Sequence, residues 1–392
     1  MTAKVPLKGA YVLFVLTLIG LSIYSYSQID LNLTLSSVPV YQSVQRQLIL
    51  LGYYHRPVSA LIYVAFLVLL FLTELHFFKM ARRGDLGPHG VWKLSLVSSL
   101  LLVVSYPAFS HDLFNYIFDA RILVTHKLSP WQFTALDFPD DLWTRFMHWT
   151  HRTYPYGPVW LLITIPLYAA GLGKFTLTLF WFKILAVISY LASVKCIQNL
   201  LKAVDSKHVA QGMVLFALNP LVLIEALVSA HIDITMTAFL LVALLFASKR
   251  KRLAGSLIFL AASAGIKYVT AAALPVWIWW RGKPERFLAA LSALLLCLSA
   301  ATAGAMVLME PLPWYFIPVL AVIALLPTKK TLQTLSVALS FGLLLRYAPY
   351  LYAGDYSDWV RSVREILTWS ALLPVAVLWG LRRTKLKKRI SG

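Results

Sequence analysis

The sequence predicts an all-α membrane protein, and three observations support that fold class. Hydrophobic residues make up 59% of the 392 residues and charged residues only 13%, which excludes a disordered chain and an ordinary soluble domain. The apolar residues fall into repeated runs of about the length that a membrane helix needs. Lys and Arg cluster in the turns between these runs, which is the positive-inside pattern of a polytopic protein.

We predict a polytopic helix bundle of about twelve spans that forms a single domain over residues 1–392. The spans are expected at residues 9–27, 58–79, 94–109, 176–200, 209–227, 234–248, 253–266, 268–280, 287–306, 314–327, 331–346 and 365–381. The run 157–172 is apolar enough to cross, but a crossing there would place the basic run 249–252 outside. We expect this run to be re-entrant or interfacial, and a full crossing stays open.

Charges of opposite sign sort to opposite sides of this bundle. Basic clusters such as 79–83, 249–252 and 382–389 fall on the side of the N-terminus, whereas most acidic residues fall on the other side. This sorting predicts a multi-pass cell-membrane protein with both termini in the cytoplasm. Contact with anionic membrane lipids then accounts for the net charge of +20, and no nucleic-acid partner is expected.

One stretch, residues 110–158, breaks the apolar pattern. It holds five of the sixteen acidic residues and four of the nine histidines. Lipid does not accommodate so many polar groups, so we predict a large external loop over 110–156 between membrane helices. A second external loop is expected at 347–364. Polar loops on a rigid apolar scaffold are common places for chemistry.

The same topology brings further polar residues to the outer face, at 229–233, at Glu310 and at the turn 265–267. Residues 253–280 are flanked on both sides by basic turns assigned to the cytoplasm, so the segment must go up and return. Lys267 then lies at the tip of a hairpin. A charge at that depth is expensive and suggests a partner, for which a phosphate group is a candidate.

Five ordered motifs now resemble those of a known enzyme family. They are SHDLFNYIFDARILVTHKLSPW from residue 110, YPYGP from 154, ALNPLVLIEALVSAHIDITMTAFLL from 217, AGSLIFLAASAGIKYVTAAALPVWI from 254 and PWYFIPVLAVIAL from 313. The motifs are similar to those of GT-C-fold glycosyltransferases, and closest to bacterial polyprenol-phosphate-mannose-dependent α-mannosyltransferases. The resemblance covers roughly residues 94–330.

This resemblance implies an inverting glycosyltransferase with an outward-facing site. Such an enzyme moves a hexose, with mannose expected, from a polyprenyl-phosphate sugar donor to a hydroxyl of a lipid or glycan acceptor. The donor is a substrate, so no cofactor is expected. His111 and Asp112 stand where the family often has two acids, which weakens a two-carboxylate metal site, and no metal ligand is assigned. Residues 1–90 have no counterpart in the resemblance.

The resemblance also assigns the candidate site residues. Asp112 lies at the position of the family's catalytic acid, and partial desolvation would suit it to take a proton from the acceptor hydroxyl. The motif elements that match are Asp119 with Arg121, Ser129-Pro130-Trp131 in place of Asn-Pro-Tyr, His231 with Asp233, and Lys267 with Tyr268. Glu310 and Arg346 are added from the polar clusters of the outer face, where Arg346 could instead lie among lipid headgroups. The candidate substrate-binding residues are then Asp119, Arg121, Tyr156, His231, Asp233, Lys267, Tyr268, Glu310 and Arg346.

Two of the acids have structural alternatives. Asp112 precedes a helical pattern and could serve as its N-cap. Asp112, Asn115 and Asp119 share one helix face by their spacing, which is typical of a polar pocket wall. Asp119 could instead pair with Arg121 or Arg145.

Other candidates have similar alternatives. Lys267 could extend to the membrane interface without binding a substrate. His148 and His151 have the i, i+3 spacing of metal ligands and could act with Asp140 or Asp141, yet this spacing is also common on solvated helices.

A transporter or flippase of a lipid-linked or anionic solute is the alternative function. Charges within apolar runs and broken helices fit such proteins too. Transporters commonly carry internal repeats, however, and the sequence has no second copy of the 110–158 loop or of any pair of spans. The large polar loop on one side therefore favours an enzyme.

Overall fold

The computed structural model describes residues 7–248, 252–281 and 283–375, and it is a bundle of helices with no β-strand in those ranges. Its α-helices are α1 (Leu7–Ser25), α2 (Pro39–Ile49), α3 (Arg56–Arg83), α4 (Pro88–Leu102), α5 (Asp112–Val124), α6 (Pro158–Ala170), α7 (Phe175–Val204), α8 (Val209–Ala217), α9 (Pro220–Val222), α10 (Ile232–Ala247), α11 (Leu253–Ile266), α12 (Leu274–Trp280), α13 (Phe287–Leu308), α14 (Ile317–Ala324), α15 (Lys330–Leu345), α16 (Ala348–Ala353) and α17 (Asp358–Ser370). The all-α membrane bundle predicted from the sequence is confirmed.

Proline and glycine mark several of the helix ends. A proline is the first residue of α2, α4, α6 and α9, at Pro39, Pro88, Pro158 and Pro220. Proline suits that position because its missing N–H would have no partner there and its φ is already helical. Gly84 ends α3 in the left-handed conformation at φ +85°, which glycine adopts without a steric penalty.

Fewer helices reach full spanning length than the twelve expected spans. Five described segments are long and apolar enough to cross a membrane: Lys8–Gln28, Arg56–Arg83, Phe175–Val204, Pro284–Leu308 and Lys330–Ala353. A sixth span is possible if Ser206–Ala217 and Pro220–Val228, which meet at a 48° bend, count together. Five further apolar helices have 10–17 residues. The sides on which the turns lie stay a prediction.

Three expected boundaries differ from the structure. The span predicted at 94–109 is α4, which begins six residues earlier and ends at Leu102. The external loop predicted at 347–364 is largely helical, because it contains α16 and the start of α17. The span at 365–381 overlaps the end of α17 and then leaves the described residues, and the basic runs at 249–251 and 382–389 lie outside them too.

The uncertain run at 157–172 forms α6, a helix of 13 residues. At 1.5 Å per residue this helix is about 20 Å long, which is short of the ~30 Å hydrocarbon core. Helix α11, one of the expected spans, is nearly as short at 14 residues, so the re-entrant or interfacial placement of 157–172 stays a prediction.

The hairpin predicted at 253–280 is present. Trp277 Nε1 donates a hydrogen bond to Ser256 Oγ at 2.7 Å, and Ser263 Oγ donates to Thr270 Oγ1 at 3.0 Å. In both pairs the two partners are equally far along the chain from a midpoint between Ile266 and Lys267. The two arms of the hairpin therefore run antiparallel. Lys267 therefore lies at the tip, as the sequence predicts.

The centre of the bundle is the segment from α8 to α10, in which every residue from 209 to 238 is buried. Helix α10 packs against α7 and α11. This burial includes residues 229–233, which were predicted as a polar cluster on the outer face. These polar groups are enclosed by protein, where each of them needs a partner. The side of the membrane on which they lie stays a prediction.

A π-helical turn at Leu223–Val228 interrupts this central segment. The carbonyls at the end of such a turn have no partner within it. Lys183 of α7 supplies one: its buried Nζ donates to the Val228 carbonyl at 2.8 Å, to the Leu227 carbonyl and to Ser105 Oγ at 3.1 Å. This side chain fixes the place where the chain turns into α10.

Candidate active site

Asp112 is the first residue of α5, and the N-cap position before it is His111. The alternative that Asp112 caps this helix is therefore wrong. Its Oδ1 accepts a hydrogen bond from Trp149 Nε1 at 3.1 Å. Asn115, one turn further along α5, donates to the Trp149 carbonyl at 3.1 Å. Trp149 of the polar loop is thus hydrogen-bonded to the face of α5 that carries the Asp112 carboxylate.

His231 connects Asp112 to the protein interior. Its Nδ1 lies 3.7 Å from Asp112 Oδ2, and its Nε2 lies 3.2 Å from Glu225 Oε2. The imidazole is fully buried and stacks on Trp314, with 3.8 Å between ring centroids. Glu225 Oε1 accepts a hydrogen bond from the Tyr347 hydroxyl at 3.0 Å. A chain of polar groups therefore runs from the edge of the site into the core.

The backbone before His231 explains how the imidazole reaches Glu225. Ala230 has φ +55°, a left-handed conformation that is strained for a residue with a Cβ. This conformation turns the chain back, so that the His231 amide donates to the Glu225 carbonyl at 2.9 Å. The short sequence from Glu225 to His231 thereby folds its two ionisable side chains against each other. Backbone strain of this kind is concentrated at functional sites.

Lys267 brings a positive charge to the same site from the hairpin tip. Its Nζ donates to both carboxylate oxygens of Asp233, at 2.9 and 3.0 Å, and lies 4.4 Å from the centroid of the Tyr315 ring. The partner expected for Lys267 is therefore an acid of the protein itself. The Lys267 side chain remains 20% exposed, whereas Asp233 is buried.

Burial raises the pKa of the Asp112 carboxyl above its ordinary value. The charge of Lys267 and the hydrogen bond from Trp149 lower this pKa, while the charge of Asp233 raises it, so the increase caused by burial prevails. With 16% of its side chain exposed, Asp112 can still be reached from the solvent. A carboxylate in this environment is more basic than an ordinary aspartate.

Two glycines bring the YPYGP motif against the hairpin tip. A Cβ on Gly157 would lie 2.1 Å from the Gly265 carbonyl oxygen, and the Gly157 amide donates to the Ile266 carbonyl at 3.1 Å. This contact places Tyr156 beside the hairpin. The Tyr156 ring also meets Tyr116 of α5 edge-on, at 5.2 Å between centroids.

Some predicted residues lie elsewhere. Arg121 Nε donates to Asp141 Oδ2 at 2.6 Å, and its guanidinium stacks 4.4 Å from the Trp143 ring. It stands nine residues after Asp112, which is about 13–14 Å along a helix and on the opposite face. Arg121 therefore does not share the Asp112 site. Tyr268 directly follows Lys267 and its side chain is 63% exposed, so its role as a substrate contact stays a prediction.

Glu310 and Arg346 pair with each other. Arg346 donates to Glu310 at 3.0 Å and to Glu365 at 2.6 Å, and Arg364 donates to Glu310 at 3.2 Å. This second charged cluster ties α15, α17 and the turn after α13 together. Both arginines have carboxylate partners within the protein. The substrate-binding role predicted for Glu310 and Arg346 stays a prediction.

Asp119 is buried, and burial raises its pKa well above the ordinary value. Within the part of the chain that the structure describes it forms no ion pair with Arg121 or Arg145, so both of those pairings are wrong. Its role as a substrate contact stays a prediction.

The Ser129-Pro130-Trp131 element contacts the YPYGP motif. The Pro130 carbonyl accepts a hydrogen bond from the Tyr154 amide at 2.8 Å, and the Trp131 ring packs edge-on against the Tyr154 ring.

Sequence reasoning missed Glu225 and Trp149. Glu225 lies in an apolar run, and its only signal is that a lone acid there needs a partner. Trp149 lies between His148 and His151, and the sequence analysis considered only these two histidines, as candidate metal ligands. That metal site with Asp140 or Asp141 is not formed, since His148 faces Asp30 and Asp141 pairs with Arg121.

The long apolar helices form a bundle that holds a carboxylate, an imidazole and an ammonium group close together. These features define the class of protein: a multi-pass membrane protein with a buried ionisable site. Ionisable groups at such depth are typical of functional sites. The chain belongs to the alpha-(1->6)-mannopyranosyltransferase family, because the model of that family's N-terminal domain matches residues 28–282. The resemblance seen in the sequence is thus confirmed. The match begins at residue 28, so it also includes most of the N-terminal residues that the motifs left out.

Two curated relatives agree with this family. The chain is 25% identical over 198 residues to alpha-(1->6)-mannopyranosyltransferase A of Corynebacterium glutamicum, which covers 50% of this chain and 40% of that protein. It is 26% identical over 188 residues to the protein of the same description from Mycobacterium tuberculosis, which covers 47% and 36%. The match therefore spans about two fifths of the length of these relatives. No solved structure matches the chain.

Proposed function

We propose that this protein is an inverting mannosyltransferase that uses a polyprenyl-phosphate sugar donor and a lipid or glycan hydroxyl as acceptor, at the outer membrane face. The observation that carries the proposal is the meeting of Asp112, His231 and Lys267 in one half-buried cluster. These residues come from three separate motifs of the family. Their spatial convergence supports a common role in one reaction.

Asp112 acts as the general base in this proposal. Inverting transfer needs a base that takes the proton from the acceptor hydroxyl as the oxygen attacks the sugar. The carboxylate is accessible, and its burial makes it more basic than an aspartate in water. The hydrogen bond from Trp149 holds Oδ1, which leaves Oδ2, on the side of His231, to face the hydroxyl.

His231 lies beside the base on its buried side, with Nδ1 3.7 Å from Asp112 Oδ2. Neither of its ring nitrogens has an aligned hydrogen bond among the described residues, and the ring is fully buried. Unpaired buried polar atoms cost about 1–3 kcal/mol each, so a bound substrate group that completes these contacts is favoured. Glu225 on the far side of the ring favours the tautomer with its proton on Nε2, and the neutral ring then offers the lone pair of Nδ1 to a donor group of the bound substrate.

Lys267 stabilises the leaving phosphate. An ammonium group has three N–H donors, and Asp233 takes two of them. The remaining donor and the exposed part of the side chain can reach an anionic oxygen. A positive charge placed where negative charge develops lowers the barrier of group transfer.

The function is tested with purified protein and a panel of radiolabelled donors that contains polyprenyl-phosphate mannose, polyprenyl-phosphate glucose and a nucleotide-linked mannose. We expect transfer from polyprenyl-phosphate mannose and none from the nucleotide sugar. Transfer from the nucleotide sugar alone would contradict the proposed donor. Absence of transfer together with movement of a lipid-linked sugar across proteoliposomes would replace the enzyme by the flippase alternative.

A further inference from the structure

A second group of polar side chains lies next to the candidate active site. It consists of Asp30 from the segment after α1, His111 at the N-cap of α5, and His148 of the polar loop. Asp30 Oδ2 is 2.9 Å from His111 Nε2 and accepts a hydrogen bond from the Tyr106 hydroxyl at 2.5 Å. The rings of His111 and His148 stack, with 3.6 Å between their centroids and 21° between their planes. Three distant parts of the chain therefore meet at this point.

The charge states of these groups favour the arrangement. Burial tends to raise the pKa of Asp30, but hydrogen bonds from His111 and Tyr106 and the charge of His111 together lower it below its ordinary value. Asp30 is therefore a carboxylate at neutral pH, which only accepts hydrogen bonds, so His111 Nε2 carries the proton between them. Burial and the charge of His111 lower the pKa of His148 to about 4. The His148 ring is thus neutral at neutral pH and stacks on His111 without charge repulsion.

Both histidines are sequence neighbours of groups that surround the Asp112 carboxylate. His111 directly precedes Asp112. His148 directly precedes Trp149, whose Nε1 donates to Asp112 Oδ1 and whose carbonyl accepts from Asn115 of α5. The start of α5 and the polar loop therefore hold the carboxylate together, and the stacked rings connect these two segments.

From this geometry we propose that Asp30 is a positioning residue for the base Asp112. Its carboxylate fixes the His111 ring, and the stacked His148 ring fixes the loop that carries Trp149. Without Asp30, the His111 ring can turn and both supports of the base shift. A misplacement of 1 Å at an active site can cost about a hundredfold in rate. The inference rests on the proposed function, because Asp30 acts on the step in which Asp112 takes the proton of the acceptor.

Sugar transfer from polyprenyl-phosphate mannose by the full-length protein is measured with kcat and the donor KM determined separately. Asp30→Ala should lower kcat about 10- to 100-fold and leave the donor KM within about threefold, because Lys267 does not belong to this group of contacts. Asp30→Asn retains an oxygen that accepts from His111 but loses the charge, so it should lower kcat less, by about 3- to 10-fold. Asp205→Ala is the matched control: it removes a carboxylate–histidine contact of 2.6 Å in the turn before α8 and should leave kcat unchanged.

The same substitution in an Asp112→Asn background separates positioning from general destabilisation. A residue that acts by placing the base has little further effect once the base is absent, whereas a loss of folded protein lowers transfer by the same factor in both backgrounds. We expect Asp30→Ala to lower the residual transfer of Asp112→Asn by less than about threefold. Equal factors in the two backgrounds would overturn the proposal.

An unchanged kcat in Asp30→Ala, with normal transfer by the unmodified protein, would also overturn this inference and leave the proposed function intact. If Asp30→Ala yields no folded protein, Asp30→Asn takes its place in both comparisons, and an unchanged kcat there has the same meaning. Absence of transfer by the unmodified protein would overturn the proposed function and this inference with it.

Discussion

Replacement of Gly157 by Ala tests how precisely the hairpin tip must be placed. The new Cβ would lie 2.1 Å from the Gly265 carbonyl oxygen, about 1 Å closer than real Cβ atoms approach an oxygen. The two backbones must therefore separate by about 1 Å. This overpacking costs about 1–3 kcal/mol, and the weakened hydrogen bond from the Gly157 amide to Ile266 adds about 1 kcal/mol.

The same displacement moves Lys267, which directly follows Ile266. A misplacement of 1 Å in an active site can cost about a hundredfold in rate. We expect Gly157→Ala to lower the Tm and to reduce mannosyl transfer by about 10- to 100-fold, measured on detergent-purified protein. Gly304→Ala is the matched control, because nothing lies within 4 Å of its Cβ and alanine favours the helix. Unchanged Tm and full transfer in Gly157→Ala would refute the close approach.

Three further predictions follow from the site and from the topology. Lys267→Met should raise the donor KM or lower kcat, but it leaves Asp233 buried without a partner, at a cost of about 3–5 kcal/mol. The double variant with Asp233→Asn separates the two effects, and normal donor kinetics in it would remove Lys267 from the mechanism. Glu225→Gln keeps a hydrogen-bond acceptor for Tyr347 and should lower kcat about 10- to 100-fold with little change in Tm; an unchanged kcat would show that it does not orient the imidazole. In a cysteine-free background, an impermeant thiol reagent should label Cys introduced at Asp137 from outside intact cells and not at Lys207, and the reverse would invert the topology.

The helices were the most predictable part of the structure. Apolar runs bounded by charges place α11 at the expected residues 253–266, and the span predicted at 331–346 coincides with α15 within one residue. Flanking charges of the same sign also predict the hairpin with Lys267 at its tip. These features depend on local composition, which a single sequence displays directly.

The partners of the charged residues were the least predictable part. Glu310 and Arg346 stand 36 positions apart and pair with each other, a contact that the sequence did not predict. Asp30 lies 81 positions before His111 and had no visible role. Such pairings depend on how distant helices pack, which apolar periodicity does not specify.

Helix geometry alone could have corrected one assignment. Arg121 is nine positions from Asp112, and nine residues at 3.6 per turn end on the opposite face of a helix. By the same rule Asp119, seven positions on, shares the face of Asp112 two turns away. The motif resemblance listed both residues together, whereas the helix separates them.

The most direct test of the account is Asp112→Asn. The substitution retains the shape and the hydrogen bond from Trp149 but cannot accept the acceptor's proton. Because Asp112 is not the N-cap, the loss in stability should be limited to about 0.3–1 kcal/mol from the helix dipole. Asp140→Asn, on the exposed part of the same loop, is the control. With sugar transfer from polyprenyl-phosphate mannose as the measurement, we predict a decrease of at least a hundredfold in Asp112→Asn at nearly unchanged Tm. Transfer within a few fold of the unmodified protein would contradict the assignment of Asp112 as the base.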